Sequence, residues 1–323
     1  MVPEIDFDDV VSNGGKFPQE FADLARERGF VILRNVVPEE QATAWENELS
    51  EYTKKRPKVQ IRSHPRVLKA MDTVSGLWHV DDESLPLDLS SQVVYPDRFR
   101  ICYPSKDAEY TLPPHLDSGA IERWEDTENR ANYEAIFTGN WQAWDAWKAD
   151  RRIGAKSDLY GIEPACSCWR SLQGWLSLSH TGTGEGTLRL LPSLKLSVAY
   201  MMLRPLFHEA EVCNDSQPPF PGARPGNSQF FPTREHHPHL DLDRNIVGIP
   251  PVKPGDYVFW HCDLLYEVDR FHPGMKHSSV SYNACNPLTP YNIESMVGVR
   301  DAFSKAVPPR DFAVYEHVKE QES

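Results

Sequence analysis

Pro254-Gly255-Asp256-Tyr257-Val258-Phe259-Trp260-His261-Cys262-Asp263 joins a Gly-Asp turn to a β-branched and aromatic run that ends in a histidine. Turn residues followed by such a run predict a buried strand over Asp256–Trp260. Four further runs have the same make-up: Phe99–Tyr103, Gly174–Ser179, Thr187–Leu191 and Ser278–Asn283. All are short and separated by Pro, Gly and Asp. That pattern predicts antiparallel sheets folded on each other, a sandwich or jelly roll, rather than alternating βαβ units.

Outward from these strands the pattern changes. Phe17–Arg28 predicts an amphipathic helix stopped by Gly29, Phe30–Val36 a strand, and Pro38 to about Lys54 a second helix. Residues 1–60 therefore read as a helix-strand-helix cap. Residues 95–290 read as the β core, and 291–323 as a helical tail broken at Pro308–Pro309. An insert rich in charge and tryptophan, Ala120–Pro164, interrupts the core. Its Trp141, Trp144 and Trp147 recur every three residues, which predicts one side of a helix docked on the sheet. Asp215–Asn227 reads as a proline- and glycine-rich loop. The expected fold class is mainly β with flanking helices (α+β), in a single domain of 323 residues.

Composition narrows the function. Apolar residues make up 40% and charged residues 25% of the chain, as in a soluble globular protein and unlike a disordered or membrane-spanning one. The longest apolar candidate, Leu194–Leu206, carries Lys195 and Arg204, so no membrane partner is expected. A formal charge of −13 repels phosphate backbones and disfavours nucleic acid as a partner. The acidic start MVPEIDFDD lacks the basic and apolar regions of a secretory signal. The six cysteines form no CxxC pair and read as buried free thiols, which predicts a cytoplasmic protein. Nothing in the sequence indicates an oligomeric state.

The sharpest chemical feature is Pro113-Pro114-His115-Leu116-Asp117-Ser118-Gly119. On an extended segment residues i and i+2 face the same side, so His115 and Asp117 can present an imidazole nitrogen and a carboxylate to one point. These are two of the three ligands of the facial triad that holds Fe(II) and leaves positions open for oxygen and a chelating cosubstrate. Arg234-Glu235-His236-His237-Pro238-His239-Leu240-Asp241 is a rival cluster of metal-like density, read as packing beside the barrel. His180 and His272 read as lone structural or exposed histidines. Cys262 next to His261 would point to the opposite face of a strand, which weakens a Cys/His nucleophile pair. No GxGxxG, GxxxxGK[ST] or GxSxG occurs, so dinucleotide, P-loop and α/β-hydrolase readings have no anchor.

Taken in order, PPHLDSGAIERWED, IFTGNWQAWDAWKADRR, SLQGWLSLSHTGTGEGTLRLLPSLK, HPHLDL and PGDYVFWHCDLLYEVD resemble the iron/2-oxoglutarate oxygenases of the phytanoyl-CoA hydroxylase type. More closely, they resemble a little-characterised family of oxygenase-like proteins grouped beside them. GFVILRNVVPEEQATAWENELSEY is similar to the entry module of such enzymes. The resemblance implies a double-stranded β-helix (jelly-roll) core with iron held near one end of the barrel. In those families the third ligand is a histidine five residues beyond the His261 position, and here that place is Tyr266. Three readings stay open: His261 substitutes as the ligand, Tyr266 binds as phenolate, or the triad is incomplete. The retained Asp117 disfavours halogenation, since the halide-using relatives give up that carboxylate.

The phytanoyl-type arginine that binds 2-oxoglutarate corresponds to His277. Arg100, Tyr103, Arg170, Arg189 and Ser279 are the remaining candidates for the distal carboxylate. The expected activity is thus Fe(II)- and 2-oxoglutarate-dependent oxidation of a small organic substrate by molecular oxygen, giving hydroxylation, desaturation or ring formation. Two alternatives accompany it. One is a redox-inactive relative that runs a cyclisation or isomerisation with Tyr266 and other acid–base groups, and the other is a non-catalytic binding protein.

Overall fold

The structure is a computed structural model and describes residues 1–55, 61–93, 95, 97–105, 112–162, 165, 166, 168–207 and 222–312. Eleven strands are present among them: β1 (Glu4–Asp6), β2 (Phe30–Arg34), β3 (Asp88–Gln92), β4 (Phe99–Cys102), β5 (Leu172–Ser177), β6 (Leu188–Leu190), β7 (Val247–Gly248), β8 (Tyr257–His261), β9 (Tyr266–Val268), β10 (Ser278–Tyr282) and β11 (Pro287–Leu288). They form a six-stranded sheet in the order β1-β2-β8-β5-β10-β4, a three-stranded sheet β7-β6-β9 and a pair β11-β3. Apart from the parallel β1–β2 pair, neighbouring strands run antiparallel. Each of the five predicted core strands lies within two residues of its expected position.

β8 is central and covered on both faces, so all five of its residues are buried. Tyr257 and Phe259 stack at 3.9 Å on one face, while Val258 and Trp260 point to the other. Phe259 lies opposite Gly174 on β5, where an added Cβ would come within 2.6 Å of its ring; the glycine admits the ring. The turn into β8 rests on Gly255, at φ +92°, where any side chain would run into the Val37 carbonyl. Asp256, fully buried, accepts from Asn35 N at 3.0 Å, Lys253 N at 3.1 Å and the Arg34 guanidinium at 2.7 Å. The Gly-Asp turn therefore ties β8 to the N-terminal segment.

Two expectations about organisation change. β2 pairs with β8 over Phe30–Leu33, so the N-terminal strand belongs to the main sheet rather than to a separate cap. The helices beside it run over Gln19–Arg28 and Glu39–Lys55. In the insert, Trp141–Ala143 is a single 3-10 turn and not part of a longer helix. Trp144 and Trp147 are buried all the same; their indoles donate to the carbonyls of Asn132 and Arg26, at 2.7 and 3.1 Å, and dock the insert. The tail helix is Pro290–Ser304. Residues 215–221 of the predicted loop, and the tail beyond residue 312, lie outside the described residues. No described helix is long and apolar enough to cross a membrane.

Candidate active site

A cavity of about 540 Å³ lies between the six- and three-stranded sheets, lined by residues of β4, β5, β8 and β10 on one side and of β6 and β9 on the other. His115 and Asp117 reach it from a short extended segment that pairs with β9. His115 N donates to Tyr266 O at 2.9 Å, and Tyr266 N to His115 O at 3.3 Å. This pairing sets the two rings side by side, with centroids 4.2 Å apart. Leu116, between the two polar residues, pairs instead with Phe230. The i, i+2 alternation expected from the sequence thus brings His115 and Asp117 together, with His115 Nε2 3.6 Å from Asp117 Oδ1.

The imidazole has one proton position fixed. Its Nδ1 lies 2.7 Å from the Pro113 carbonyl, which can only accept, so Nδ1 carries the hydrogen and Nε2 a lone pair. Nε2 is buried and has no hydrogen-bond partner. Asp117, by contrast, is saturated. Oδ2 accepts from the Tyr266 hydroxyl at 2.7 Å and from Arg170 at 3.2 Å, and Oδ1 accepts from Gln229 Nε2. Burial alone would raise the Asp117 carboxyl, but Arg170, His115 and the hydrogen bonds from Gln229 and Tyr266 outweigh it and bring it down to about 2. Burial and the Asp117 charge push the Tyr266 phenol well above its ordinary value, so it stays a donor.

His261 does not complete this set, and the expectation that it does is corrected. It is the next residue after cavity-lining Trp260 on β8, so its ring leaves on the opposite face and stacks on Trp78 at 4.8 Å. Both of its nitrogens are occupied: Nε2 donates to Ala146 O at 2.9 Å, and Nδ1 accepts from Asp263 N at 3.0 Å. His261, Cys262 and Asp263 place ligand-type atoms within 4.8 Å of one another. Asp263, however, is engaged by Arg152 at 2.6 Å and the Tyr133 hydroxyl at 2.8 Å, and His261 has no lone pair left for an ion. That cluster is a buried structural knot. The histidines of the rival cluster pack on aromatic rings: His237 lies against Phe230 and Tyr200, and His239 against the same Tyr200.

A model of the Gig2-like family matches residues 1–60 and 55–323, which is the full length of the chain. The chain belongs to the Gig2-like family. It is similar to the solved structure of GlcNAc Inducible Gene 2, GIG2 (DUF1479), of Candida albicans, at 43% identity and a TM-score of 0.86, over 96% of this chain and 72% of that one. It is also similar to the uncharacterised protein YbiU of Escherichia coli, 26% identical over 96% of this chain and 78% of that protein. A third relative is the solved structure of a Salmonella typhimurium LT2 protein named "Putative Oxidoreductase", 26% identical with a TM-score of 0.83, covering 96% and 79% of the two chains. These matches place the chain among Gig2-like proteins; its likeness to phytanoyl-CoA hydroxylase stays a resemblance of motifs.

In this Gig2-like chain the candidates for a cosubstrate carboxylate divide. Arg100, on β4, and Arg170 line the cavity. Tyr103, Arg189 and Ser279 do not. Tyr103 is 66% exposed, Arg189 is paired with Glu267 and bonded to the Ile246 carbonyl at 2.8 Å, and the Ser279 hydroxyl donates to Glu46. His277, in the place of the phytanoyl-type arginine, is paired with the same Glu46 at 2.8 Å. Gln173 and Gln229 were missed. Gln173 accepts from the Tyr266 hydroxyl at 3.3 Å, and a polar residue inside an otherwise apolar strand was its signal. Gln229 gave no local signal, because it reaches Asp117 from 112 residues away.

The donor set does not fit the facial triad. The orphaned Nε2 of His115 suits a metal ion, but Asp117 already has a cation in Arg170 and two further donors. The place that the motif resemblance gives to a third ligand holds a phenol whose proton is given to that same carboxylate.

Proposed function

We propose that this Gig2-like chain is an enzyme that binds a small organic anion in the cavity and moves a proton on it, in a cyclisation or isomerisation without net redox change. The observation that carries the reading is the Tyr266–Asp117 hydrogen bond, which turns an iron-binding constellation into a closed acid–base network. His115 Nε2 is the base: it has a lone pair, no partner and an ionised carboxylate 3.6 Å away to stabilise the imidazolium that forms. Arg100, on the cavity wall, is the anchor for the substrate's negative charge, as its fork geometry suits a carboxylate. Trp260, Trp175 and Val280 give the substrate's carbon skeleton an apolar wall.

The test is a panel of small organic acids incubated with the protein in D2O and EDTA, with deuterium incorporation followed by NMR. Exchange into one acid, lost in His115→Gln, supports the reading. Turnover that requires Fe(II) and oxygen and consumes 2-oxoglutarate overturns it. That second outcome belongs to the Fe(II)/2-oxoglutarate oxygenase reading. The fixed Nδ1–H tautomer and bare Nε2 of His115 favour it, since metal-bound histidines are commonly oriented in this way, and so does the name of the Salmonella relative.

A further inference from the structure

The sequence has six cysteines, expected to be buried free thiols. Two of them, in Cys166-Ser167-Cys168, sit with their Sγ atoms 3.8 Å apart, and both are buried. They belong to a small cluster with Tyr95 and Phe312, separate from the main hydrophobic core. Of the two, Cys166 lines the candidate active-site cavity. Two residues further on, Arg170 also lines the cavity and holds Asp117. Of the remaining described cysteines, Cys102 also lines the cavity, beside Gly186, while Cys262 lies beside His261 and Cys285 beside the Met71 carbonyl.

We infer that Cys166 and Cys168 form a redox-active dithiol in the wall of the cavity, oxidised to an intramolecular disulfide by hydroperoxides. The Cys166 thiolate attacks the distal oxygen of the hydroperoxide and becomes a sulfenic acid. The O–O bond breaks, and the released hydroxide takes up the thiol's proton as water. The Cys168 sulfur then attacks the sulfenic sulfur, forms the S–S bond and expels a second water. For hydrogen peroxide the balance is two thiols and one peroxide giving one disulfide and two waters. The sulfurs lose two electrons and the peroxide gains them.

Of the two sulfur-bearing residues only Cys166 lines the cavity, which sets the order of attack. The contact with Cys168, 3.8 Å between sulfurs, and the Arg170 charge together hold the Cys166 thiol below its ordinary value. Burial pushes Cys168 up. The nucleophile is therefore the sulfur on the cavity wall, and the resolving thiol is the one behind it. Burial pushes both Cys262 and Cys285 up to about 12, and at Cys262 it outweighs the nearby Arg152 and Arg123 charges. This inference is independent of the reaction assigned to the cavity.

The native protein is treated with hydrogen peroxide, quenched with iodoacetamide and mapped by peptide mass. The expected result is a peptide carrying Cys166 and Cys168 that has lost about 2 Da, takes no alkyl label and regains two labels after dithiothreitol. Cys262 and Cys285 stay labelled. In Cys168→Ser, Cys166 is expected to be trapped as a sulfenic acid that dimedone captures. The inference is overturned if the wild-type peptide remains doubly labelled at peroxide levels that oxidise Cys102, or if Cys168 alone is oxidised. The wild-type mass measurement decides the matter even if the variant fails to fold.

Discussion

The Tyr266 hydroxyl donates to Asp117 Oδ2 at 2.7 Å from a strand position directly paired with His115. The carboxylate it serves is ionised and buried. Hydrogen bonds to buried charges are worth about 1.5–3 kcal/mol. Tyr266→Phe keeps the ring against His115 and Trp260 and removes this bond together with the longer contact to Gln173. It should destabilise the protein by about 1–3 kcal/mol in urea unfolding at pH 7.

Replacing the phenol by an imidazole tests the donor set directly. Tyr266→His restores a nitrogen at the third place and removes the proton bound to Asp117. The variant is expected to bind one Mn(II) by EPR titration, and to lose it when His115→Ala is added. The unchanged chain should leave the Mn(II) signal as that of the free ion. Tight binding by the unchanged chain would favour the oxygenase reading instead.

Arg170 supplies the positive charge that Asp117 requires, with about a tenth of each side chain exposed. Removing one partner of a buried pair leaves the other uncompensated, at a cost of about 3–5 kcal/mol. Arg170→Met should therefore destabilise by about that amount at pH 7. It should also raise the Asp117 carboxyl from about 2, because Arg170 is the largest of the influences lowering it. Combining Arg170→Met with Asp117→Asn should recover part of the loss. Equal losses in the single and double variants would mean that the ion pair is not the source.

Local chemistry made much of this legible. The run Tyr257–Trp260, bounded by Pro254-Gly255-Asp256, announces a strand because only a covered strand has a use for four consecutive bulky residues there. His115 and Asp117 are legible because alternation needs no knowledge of the rest of the chain. The partners of Asp117 are not: Arg170 and Gln229 arrive from 53 and 112 residues away, through pairings that no local pattern encodes. The same limit hid the place of β2, whose sequence says strand but not which neighbour it pairs with. The tryptophan spacing misled for another reason: Trp144 and Trp147 each find a separate backbone carbonyl, so their period reflects two anchors rather than a helix face.

Gly255 gives a backbone test of the fold. At φ +92°, and with the Val37 carbonyl where a Cβ would stand, Gly255→Ala meets both strain and a backbone clash. Asp256 can no longer hold Asn35 and Lys253 without a shift of the turn. The expected cost is about 2–4 kcal/mol, read as a fall in the urea midpoint. Gly184, also at positive φ but with open space where its Cβ would be, is the control; Gly184→Ala should cost about 1 kcal/mol.

His261 predicts how the fold responds to acid. Burial lowers its imidazole from 6.5 to about 4, partly offset by Asp263, and the neutral ring bridges Ala146 and Asp263. The unfolded chain binds a proton below about pH 6.5, whereas the folded chain resists until about pH 4. The stabilisation is therefore fully present above pH 6.5, falls as pH drops through that window and is gone below about 4. A shift of this size is worth about 3 kcal/mol. His261→Gln keeps a donor and an acceptor but has no proton to take up. Between pH 7 and pH 4.5 it should lose about 2–3 kcal/mol less stability than the unchanged chain, measured by urea unfolding at each pH. Parallel pH profiles for the two proteins would show that the acid sensitivity lies elsewhere; His237, also lowered to about 4 by burial, is then the next residue to replace.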